Sequence, residues 1–276
     1  MQDYQRKKEL LLQEMKQYTR EDAMVAFSGG VDSSLLLKIA CDLAIESRVN
    51  IYAVTMQTKL HPSGELEDTK KICKEIGAVH VIITVDELQE AGILNNPADR
   101  CYLCKKHLFT KMLEKAKTLG INTVIEGTNE DDLHVYRPGI RALKELGIIS
   151  PLAGAGLTKE DVRRLAKEYG LSVASKPSTP CLATRFPYGT VLSYEDMAQV
   201  AKGEAYLKNL GFYNVRLRVH GQIVRIETDK AAFPLLMQHN EEITAYLKSL
   251  GYDYVTLDLE GFRSGSMDIH LSPDQI

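Results

Sequence analysis

Six residues near the start of the chain, Ser28 to Ser33 (SGGVDS), constrain its fold more than any other feature. They follow the apolar run Ala23–Phe27, which predicts a short buried strand, and precede Leu35–Ala40, which predicts the opening of a helix. A glycine loop between a strand and a helix N-terminus makes an anion site, because backbone N–H groups point into the loop and the helix dipole favours negative charge. No Gly-Lys-Ser/Thr follows the glycines, so the loop is not a Walker A sequence.

The loop therefore predicts a phosphate site, with an ordinary helix cap as the alternative. Glycine lets a phosphate approach the backbone with no Cβ in the way, and the serine hydroxyls add hydrogen-bond donors. We expect the phosphates of a nucleotide to contact Ser28, Gly29, Gly30, Asp32 and Ser33.

Strand and helix patterns alternate from the N-terminus to about residue 169. The apolar runs at 49–56, 79–85 and 122–126 predict three further strands, each separated from the next by a helical pattern. Such βαβ units predict an α/β fold, a doubly wound parallel sheet with helices on both faces. Because ligands bind at the carboxyl ends of parallel strands, we expect the glycine loop, Met56, Gly127 and Asp132 to share one nucleotide-binding rim.

The C-terminal part of the chain has a different organisation. Residues 170–189 contain three prolines and show no period, which in a compact protein indicates a disordered or a functional loop. Residues 206–221 and 246–261 then repeat a helix end, a glycine and an alternating strand, with eight of sixteen positions identical. Runs at 215–219 and 223–227 predict a hairpin around Gly221. We predict a domain of residues 1–175, a linker loop of 176–190 that carries Cys181, and a small α+β domain of 191–276.

Composition excludes several classes of protein. The net charge of −3 over 276 residues argues against a broad basic face for nucleic acid. The charged N-terminus is unlike a signal peptide, and no apolar run approaches the roughly 20 residues that span a membrane. We therefore expect a cytoplasmic protein with no membrane partner.

Five cysteines fall into two groups. Cys41 and Cys73 lie in helical patterns and are expected to be core thiols. Cys101 and Cys104 form a CxxC at the head of a helix, and Cys181 lies in the irregular loop. With no second CxxC a structural zinc is unsupported, and the pair does not follow the first strand as a thioredoxin-like pair would. A 4Fe-4S cluster with one iron open to sulfide is the favoured interpretation of these three, ahead of a zinc site and of three unrelated thiols.

Arginines in the C-terminal region are candidate anion ligands. Arg216 and Arg218 alternate along a predicted strand and therefore point to one face, where they suit a phosphate or a carboxylate unless that face is merely solvated. Glu204 and Glu227 either pair with them or hold a divalent ion. Arg263, in a Gly/Ser loop after a strand, is a candidate of the same kind.

These motifs together resemble a known family. The likeness covers nearly the whole chain and rests on SGGVDS and six further segments, namely Asn96–Lys105 (NPADRCYLCK), Glu126–Asp132 (EGTNEDD), Tyr136–Gly139 (YRPG), Lys176–Gly189 with its CLATRFPYG, Arg216–His220 (RLRVH) and Gly261–Ser266 (GFRSGS). The sequence resembles the LarE family of PP-loop ATP pyrophosphatases. These ATP-dependent sulfurtransferases help to make the nickel-pincer nucleotide cofactor of lactate racemase.

The resemblance implies a reaction and its cofactors. Family members use ATP and Mg²⁺ to adenylylate a carboxylate of pyridinium biscarboxylic acid mononucleotide, and sulfur then displaces AMP to give a thiocarboxylate. One-cysteine members sacrifice the sulfur of the cysteine at the position of Cys181. Three-cysteine members carry cysteines at the positions of Cys101, Cys104 and Cys181 and hold a 4Fe-4S cluster, so the resemblance implies the cluster-dependent type.

The resemblance also implies roles for residues of the C-terminal region. Arg216, Arg218 and Arg263 would grip the phosphate of a small nucleotide substrate, with Glu204 and Glu227 near that site. Two residues are placed by motif and rim position alone, Arg185 at the substrate and Asp132 at the nucleotide. The family also implies a homo-oligomer, and no residue identifies the donor of sulfide.

Four alternative functions are to be compared with this one. A tRNA-thiolating PP-loop enzyme needs a nucleic-acid surface, which the charge does not favour. An amidotransferase of the NAD- or GMP-synthetase type would not need three thiols at these positions. A non-enzymatic nucleotide-binding module would need neither the intact loop nor the cysteines. A sacrificial route through Cys181 remains the alternative within the family.

Overall fold

A computed structural model of the chain describes residues 2–61, 65–135, 137–176 and 180–269. The chain divides into two compact units. The first comprises Met1–Thr58, Ser63–Ala91 and Cys101–Thr179. The second comprises Lys59–Pro62, Gly92–Arg100 and Pro180–Ile276. Tyr136 and Pro177, which belong to motifs quoted above, lie outside the described residues.

Helices and strands alternate through the first unit. In chain order its elements are α1 (Gln2–Tyr18), β1 (Ala23–Ala26), α2 (Val31–Ser47), β2 (Ile51–Gln57), α3 (Glu65–Ile76), β3 (Val79–Thr84), α4 (Glu87–Glu90), α5 (Arg100–Thr118), β4 (Thr123–Ile125), α6 (Gly139–Glu145), α7 (Pro151–Gly154) and α8 (Lys159–Glu168). Short 3₁₀ turns lie at Glu130–His134 and Ser172–Ser175. The strands fall where the apolar runs of the sequence predict them.

The four strands form one parallel sheet in the order β3-β2-β1-β4. Alternate residues of β1 enter different cores, as a strand buried on both faces requires. Ala23 and Val25 pack in a cluster with residues of α1, α2 and α8, whereas Met24 packs in a second cluster with residues of α5 and α6. The predicted α/β fold, a doubly wound parallel sheet with helices on both faces, is confirmed.

The second unit contains a smaller sheet. Its elements are a 3₁₀ turn at Leu182–Arg185, α9 (Tyr194–Asn209), β5 (Val215–His220), β6 (Ile223–Thr228), α10 (Phe233–Gln238), α11 (Asn240–Ser249) and β7 (Tyr254–Leu257). The strand order is β5-β6-β7, with β5 antiparallel and β7 parallel to β6. The predicted hairpin is therefore β5–β6.

The internal repeat of the sequence corresponds to two equivalent structural pieces, α9–β5 and α11–β7. Because β5 is antiparallel and β7 parallel to the strand between them, the two pieces run in opposite directions. Tyr206 and Tyr246, at equivalent positions of the repeat, stack on each other with ring centroids 3.9 Å apart. The repeat therefore builds the second unit from two helix–strand pieces whose strands run in opposite directions on either side of β6.

Two short segments of the N-terminal half belong to the second unit, Lys59–Pro62 and Gly92–Arg100. The N–H of Leu182 donates to the carbonyl of Leu60, and the N–H of Leu192 donates to the carbonyl of Leu94, each at 2.8 Å. The predicted division at residue 175 did not anticipate these insertions. No helix in the described part of the chain combines the length and the apolar character needed to cross a bilayer.

Candidate active site

The glycine loop has the geometry of an anion site. Gly29 has a φ of +71°, which favours glycine, and a Cβ there would lie 3.0 Å from the Thr69 side chain. The Ser33 hydroxyl accepts from the Ser28 N–H at 3.3 Å and donates to the Gly30 carbonyl at 3.2 Å. No side chain caps the N-terminus of α2. The serines thus hold the loop in shape, and the first N–H groups of a 17-residue helix remain available to a phosphate.

Asp32 is the centre of a polar network at the carboxyl edge of the sheet. Its Oδ1 accepts a hydrogen bond from Asn129 Nδ2 at 3.2 Å, and its Oδ2 pairs with the ammonium group of Lys159. Gly127 lies so close that a Cβ on it would be 3.1 Å from the Asp32 Cβ and 3.2 Å from the Ser33 N. The glycine loop and the turn after β4 therefore share one rim, as the sequence predicts.

Lys159 belongs to none of the sequence motifs, although its position at the start of a helix is unusual for a lysine. It is the first residue of α8, where a positive charge opposes the helix dipole. Its pairing with Asp32 explains that placement. Because the ammonium lies at the carboxylate of the glycine loop, it is a candidate cation for phosphates bound there.

Two predicted nucleotide contacts have other partners in this structure. Asp132 accepts from the Asn129 N–H at 3.2 Å in a capping box and pairs with Arg137 at 2.9 Å. Met56, near the end of β2, packs against the apolar cluster of α5 and α6. Both lie on the expected side of the sheet, and their contact with a nucleotide stays a prediction.

The CxxC lies in the first turns of α5. Cys101 is exposed and Cys104 is half-buried. The residue after them, Lys105, extends to the buried carboxylate of Glu126, with Nζ 3.6 Å from Oε2. Glu126 also accepts from the Thr128 N–H at 2.9 Å. Lys105 therefore links the CxxC helix to the turn after β4, a contact that the sequence motifs did not predict.

The five cysteines separate by environment as well as by sequence. Burial raises the pKa of Cys41 to about 11 and that of Cys73 to about 12, so both are inert apolar thiols. Cys101, Cys104 and Cys181 are all at least partly accessible. Within the described ranges, no three histidine, cysteine, aspartate or glutamate side chains are grouped so that they could hold a metal ion.

Cys181 belongs to the second unit, whereas Cys101 and Cys104 belong to the first. Arg185 holds the Cys181 loop in place. Its guanidinium donates to the Cys181 carbonyl at 3.3 Å and to the Thr184 hydroxyl at 2.8 Å, and its Nε donates to Glu204 Oε1 at 2.8 Å. Arg185 is only 1% exposed. These contacts give it a positioning role, and the substrate contact expected from its motif stays a prediction.

The predicted arginine pair on β5 is buried rather than solvated. Arg218 Nε donates to Glu227 Oε2 at 2.9 Å, and its Nη1 donates to the Thr184 carbonyl at 3.0 Å. Arg216 stacks above the Phe262 ring at 5.4 Å. Burial, followed by the nearby charge of Arg185, lowers the pKa of Arg216. The arginine face of this sheet therefore groups several guanidinium groups, because the charges of Arg185 and Arg218 both act on Arg216.

The neighbouring carboxylates are occupied by arginines. The Glu204 carboxylate accepts hydrogen bonds from the Arg185 guanidinium and from the Leu217 N–H, the latter at 3.1 Å. The Glu227 carboxylate pairs with the Arg218 guanidinium through Oε2, and its Oε1 lies 3.3 Å from Arg225 Nη2. The structure thus favours the ion-pair alternative over a divalent ion at Glu204 and Glu227, because their oxygens already have cationic partners.

Arg263, the third predicted substrate ligand, is the most accessible arginine of this group. Its guanidinium lies 3.3 Å from Asp258 and 2.7 Å from Glu260. The Arg263 side chain is about one-third exposed, so Arg263 lies at the edge of the buried network.

Comparison with known proteins agrees with this geometry. Residues 2–135 match the PP-loop domain family. The chain is 39% identical over 270 residues to the pyridinium-3,5-bisthiocarboxylic acid mononucleotide synthase of Lactiplantibacillus plantarum, which covers 98% of this chain and 96% of that protein. The chain belongs to the LarE family. LarE proteins are ATP-using sulfurtransferases with a PP-loop domain, and the glycine loop described above is that loop.

Two further relatives show how far the likeness extends. An uncharacterised protein of Synechocystis is 39% identical over 93% of this chain and 96% of its own length. The tRNA-specific 2-thiouridylase of Rickettsia bellii is 27% identical over 56% of this chain and 52% of its own length. The likeness to LarE proteins therefore spans both units, whereas the likeness to this tRNA enzyme is partial.

Proposed function

We propose that this LarE protein converts the two carboxylates of pyridinium biscarboxylic acid mononucleotide to thiocarboxylates, for nickel-pincer cofactor synthesis. ATP first transfers AMP to a carboxylate oxygen and releases pyrophosphate. Hydrosulfide then attacks the acyl carbon, AMP leaves with the bridging oxygen, and a proton is released. The observation that carries the proposal is the relative of nearly equal length, 39% identical and named for that product.

The first half-reaction depends on the glycine loop. The N–H groups at the start of α2 stabilise the negative charge that develops on the departing pyrophosphate. Lys159 supplies a cation at the same place, since its ammonium already reaches Asp32. Mg²⁺, when bound with the nucleotide, would neutralise further phosphate charge at this rim.

The nucleotide substrate is assigned to the arginine face of β5. Its phosphate matches the group of guanidiniums there, since the charges of Arg185 and Arg218 both act on Arg216. Arg218 is anchored to Glu227, and Arg263 lies at the edge of the network. We assign the phosphate to Arg216, Arg218 and Arg263 together, as the family resemblance implies.

The sulfur is assigned to Cys101, Cys104 and Cys181. These three thiols are at least partly accessible, and three thiolates are a donor set that suits a 4Fe-4S cluster with three protein ligands. Such a cluster, when bound, would present sulfide at its open iron. The proposal depends on the identity and accessibility of the thiols, not on a preformed ligand cage.

Isotope transfer tests the proposal. Substrate labelled with ¹⁸O in its carboxylates should place one ¹⁸O atom on each AMP formed, because AMP leaves with a carboxylate oxygen. Release of pyrophosphate should depend on the substrate. Formation of ADP, or of AMP that carries no label, would exclude adenylylation of the carboxylate. Pyrophosphate release stimulated by unmodified tRNA instead of the mononucleotide would support the tRNA-thiolating alternative.

A further inference from the structure

A set of hydrogen bonds within the second unit joins the segment before Cys101 to the segment after Cys181. Asn96 Nδ2 donates to the carbonyls of Phe186 at 3.2 Å and Pro187 at 2.7 Å. The Asn96 carbonyl accepts from the Gly189 N–H at 3.0 Å. Asn96 therefore binds the second segment through both its side chain and its backbone.

Asn96 holds this position at a conformational cost. It has a φ of +45° and is fully buried. The other non-glycine residue with positive φ in the described chain is Arg48, which ends α2 as a left-handed cap. Residues held in that region persist when their surroundings determine them strongly, and they are concentrated at functional sites. Asn96 caps no helix, so its conformation has to be explained by the contacts that it makes.

Arg100 is the second member of this set. It is 4% exposed, its Nη1 donates to Asn96 Oδ1 at 3.0 Å, and its guanidinium lies 4.5 Å from the centre of the Tyr188 ring. Its Nε has no hydrogen-bond partner among the described residues, and none of their carboxylates forms an ion pair with it. A buried cation without a carboxylate is unfavourable, and buried arginines are normally paired.

Tyr188 is the third member, and it is itself anchored. Its hydroxyl donates to Asp268 Oδ1 at 2.8 Å, so the ring that faces Arg100 is fixed at its far end. We call Asn96, Arg100 and Tyr188 the arginine clamp.

Chain connectivity extends the effect of the clamp to the cysteines. Arg100 is bonded directly to Cys101, and Phe186 follows Cys181 by five residues. The Cys181 carbonyl is in turn held by Arg185 at 3.3 Å. We propose that the arginine clamp is a positioning device, which fixes the peptides leading to Cys101 and from Cys181 by holding the buried Arg100 cation between Asn96 and the Tyr188 ring. This inference depends on the proposed role of the three thiols.

Matched variants can distinguish a positioning role of the clamp from ordinary loop packing. Arg100→Gln keeps a donor for Asn96 but removes the charge, whereas Arg100→Lys keeps the charge. Tyr188→Leu removes the ring face, and Tyr188→Phe keeps it. Asn96→Gly removes the amide while tolerating the positive φ. Arg164→Gln is the control, because Arg164 stacks on Tyr4 at 3.9 Å in the first unit, away from any cysteine in sequence.

Two probes report on the thiols, both in full-length protein. Iron and acid-labile sulfide per chain, with the visible spectrum, are measured after anaerobic reconstitution. Arsenite affinity is measured on protein without iron, because As(III) binds three thiolates together and needs no cluster. Thermal unfolding and substrate-dependent pyrophosphate release identify variants that have simply lost their fold.

The expected result is specific to the clamp. In folded Arg100→Gln and Tyr188→Leu proteins, iron retention and arsenite affinity should fall by about 10-fold or more, the range for residues that orient metal ligands. Pyrophosphate release should be preserved. Arg100→Lys and Tyr188→Phe should keep most of the iron and most of the arsenite affinity. Arg164→Gln should match the wild type in both measurements.

Failure of the clamp differs from failure of the proposed function. Unchanged iron content and arsenite affinity in folded Arg100→Gln would overturn the clamp, even if the wild type holds a cluster. A wild type that binds arsenite through its three thiols but never retains iron would overturn the cluster alone. Equal losses in Arg164→Gln would show that the effects are general destabilisation and would also overturn the clamp.

Discussion

Arg185 and Glu204 form a bidentate ion pair that is almost completely shielded from solvent, with Nε–Oε1 and Nη2–Oε2 distances of 2.8 and 3.0 Å. The same guanidinium holds the carbonyl of Cys181. A pair of this kind is sensitive to the loss of one partner, because the other then stays buried and charged.

Arg185→Met should therefore lower the free energy of unfolding by about 3–5 kcal/mol, measured by denaturant titration. Lys70→Met is the matched control, because the exposed Lys70–Glu67 pair at 2.7 Å should contribute at most about 1 kcal/mol. Similar losses in the two variants would show that the buried pair has no special structural role.

Lys159→Met should reduce the rate of pyrophosphate release by about 10²–10³-fold, the usual effect of removing one group that stabilises developing charge. ATP should still bind through the backbone of the loop. Lys7→Met is the control, since Lys7 pairs with Asp161 of the same helix at 3.4 Å and does not reach the loop. An unchanged rate in Lys159→Met would assign this lysine to structure alone.

Glu87 predicts a pH dependence of stability. Burial raises its pKa from 4.5 to about 7, although a hydrogen bond from Thr58 opposes the shift. The folded state then holds a proton that the unfolded state has released, so stability is greatest below pH 4.5 and falls as the pH rises to about 7. Glu87→Gln should abolish this fall and stabilise the protein at pH 8 by at most about 3 kcal/mol.

Unfolding of both proteins at pH 5 and pH 8 measures the effect. Glu90→Gln serves as the control, because the pKa of Glu90 is held near 2, chiefly by Lys111, and it does not titrate in that range. A parallel pH profile in wild type and Glu87→Gln would contradict the assignment.

Arg216→Ala should raise the KM for the mononucleotide substrate by at least about 10-fold, as expected for loss of a charged hydrogen bond to phosphate. The affinity for ATP, measured by calorimetry, should change little. Equal losses of the two affinities would mean that Arg216 supports the sheet rather than the substrate.

Single cysteine variants separate the two routes for sulfur. Cys181→Ala should abolish thiocarboxylate formation by either route. Cys101→Ala or Cys104→Ala should abolish it only if the three thiols act together. Cys41→Ala should be neutral, because partial burial raises the pKa of that thiol to about 11 and keeps it protonated. Full activity in Cys104→Ala would support the sacrificial route through Cys181.

Much of the first unit could be predicted because its signals are local. The run Ala23–Phe27, the glycines of the loop and the Thr158 cap with Asp161 specify strand, loop and helix within a few residues. The shared rim followed from the rule that parallel strands present their carboxyl ends together. Burial of Arg216 and Arg218 could not be predicted, because strand alternation shows which side chains share a face but not what covers it.

The remaining contacts depend on residues far apart in the chain. Lys159 pairs with Asp32 across 127 positions, and Asn96 binds Pro187 across 91. No local pattern indicates that Gly92–Arg100 belongs with the C-terminal unit. A lysine at the start of a helix and an asparagine before proline are weak hints, whose meaning becomes clear only from their partners in the folded chain.

The number of thiocarboxylates formed per chain tests the central claim most directly. Anaerobic protein would be supplied with ATP, Mg²⁺, the mononucleotide and excess sulfide, and its products counted beside its iron content and intact mass. We predict several products per chain, protein-bound iron, and a Cys181 that keeps its sulfur. A reaction that stops at one sulfur per chain, with Cys181 converted to dehydroalanine, would contradict the account.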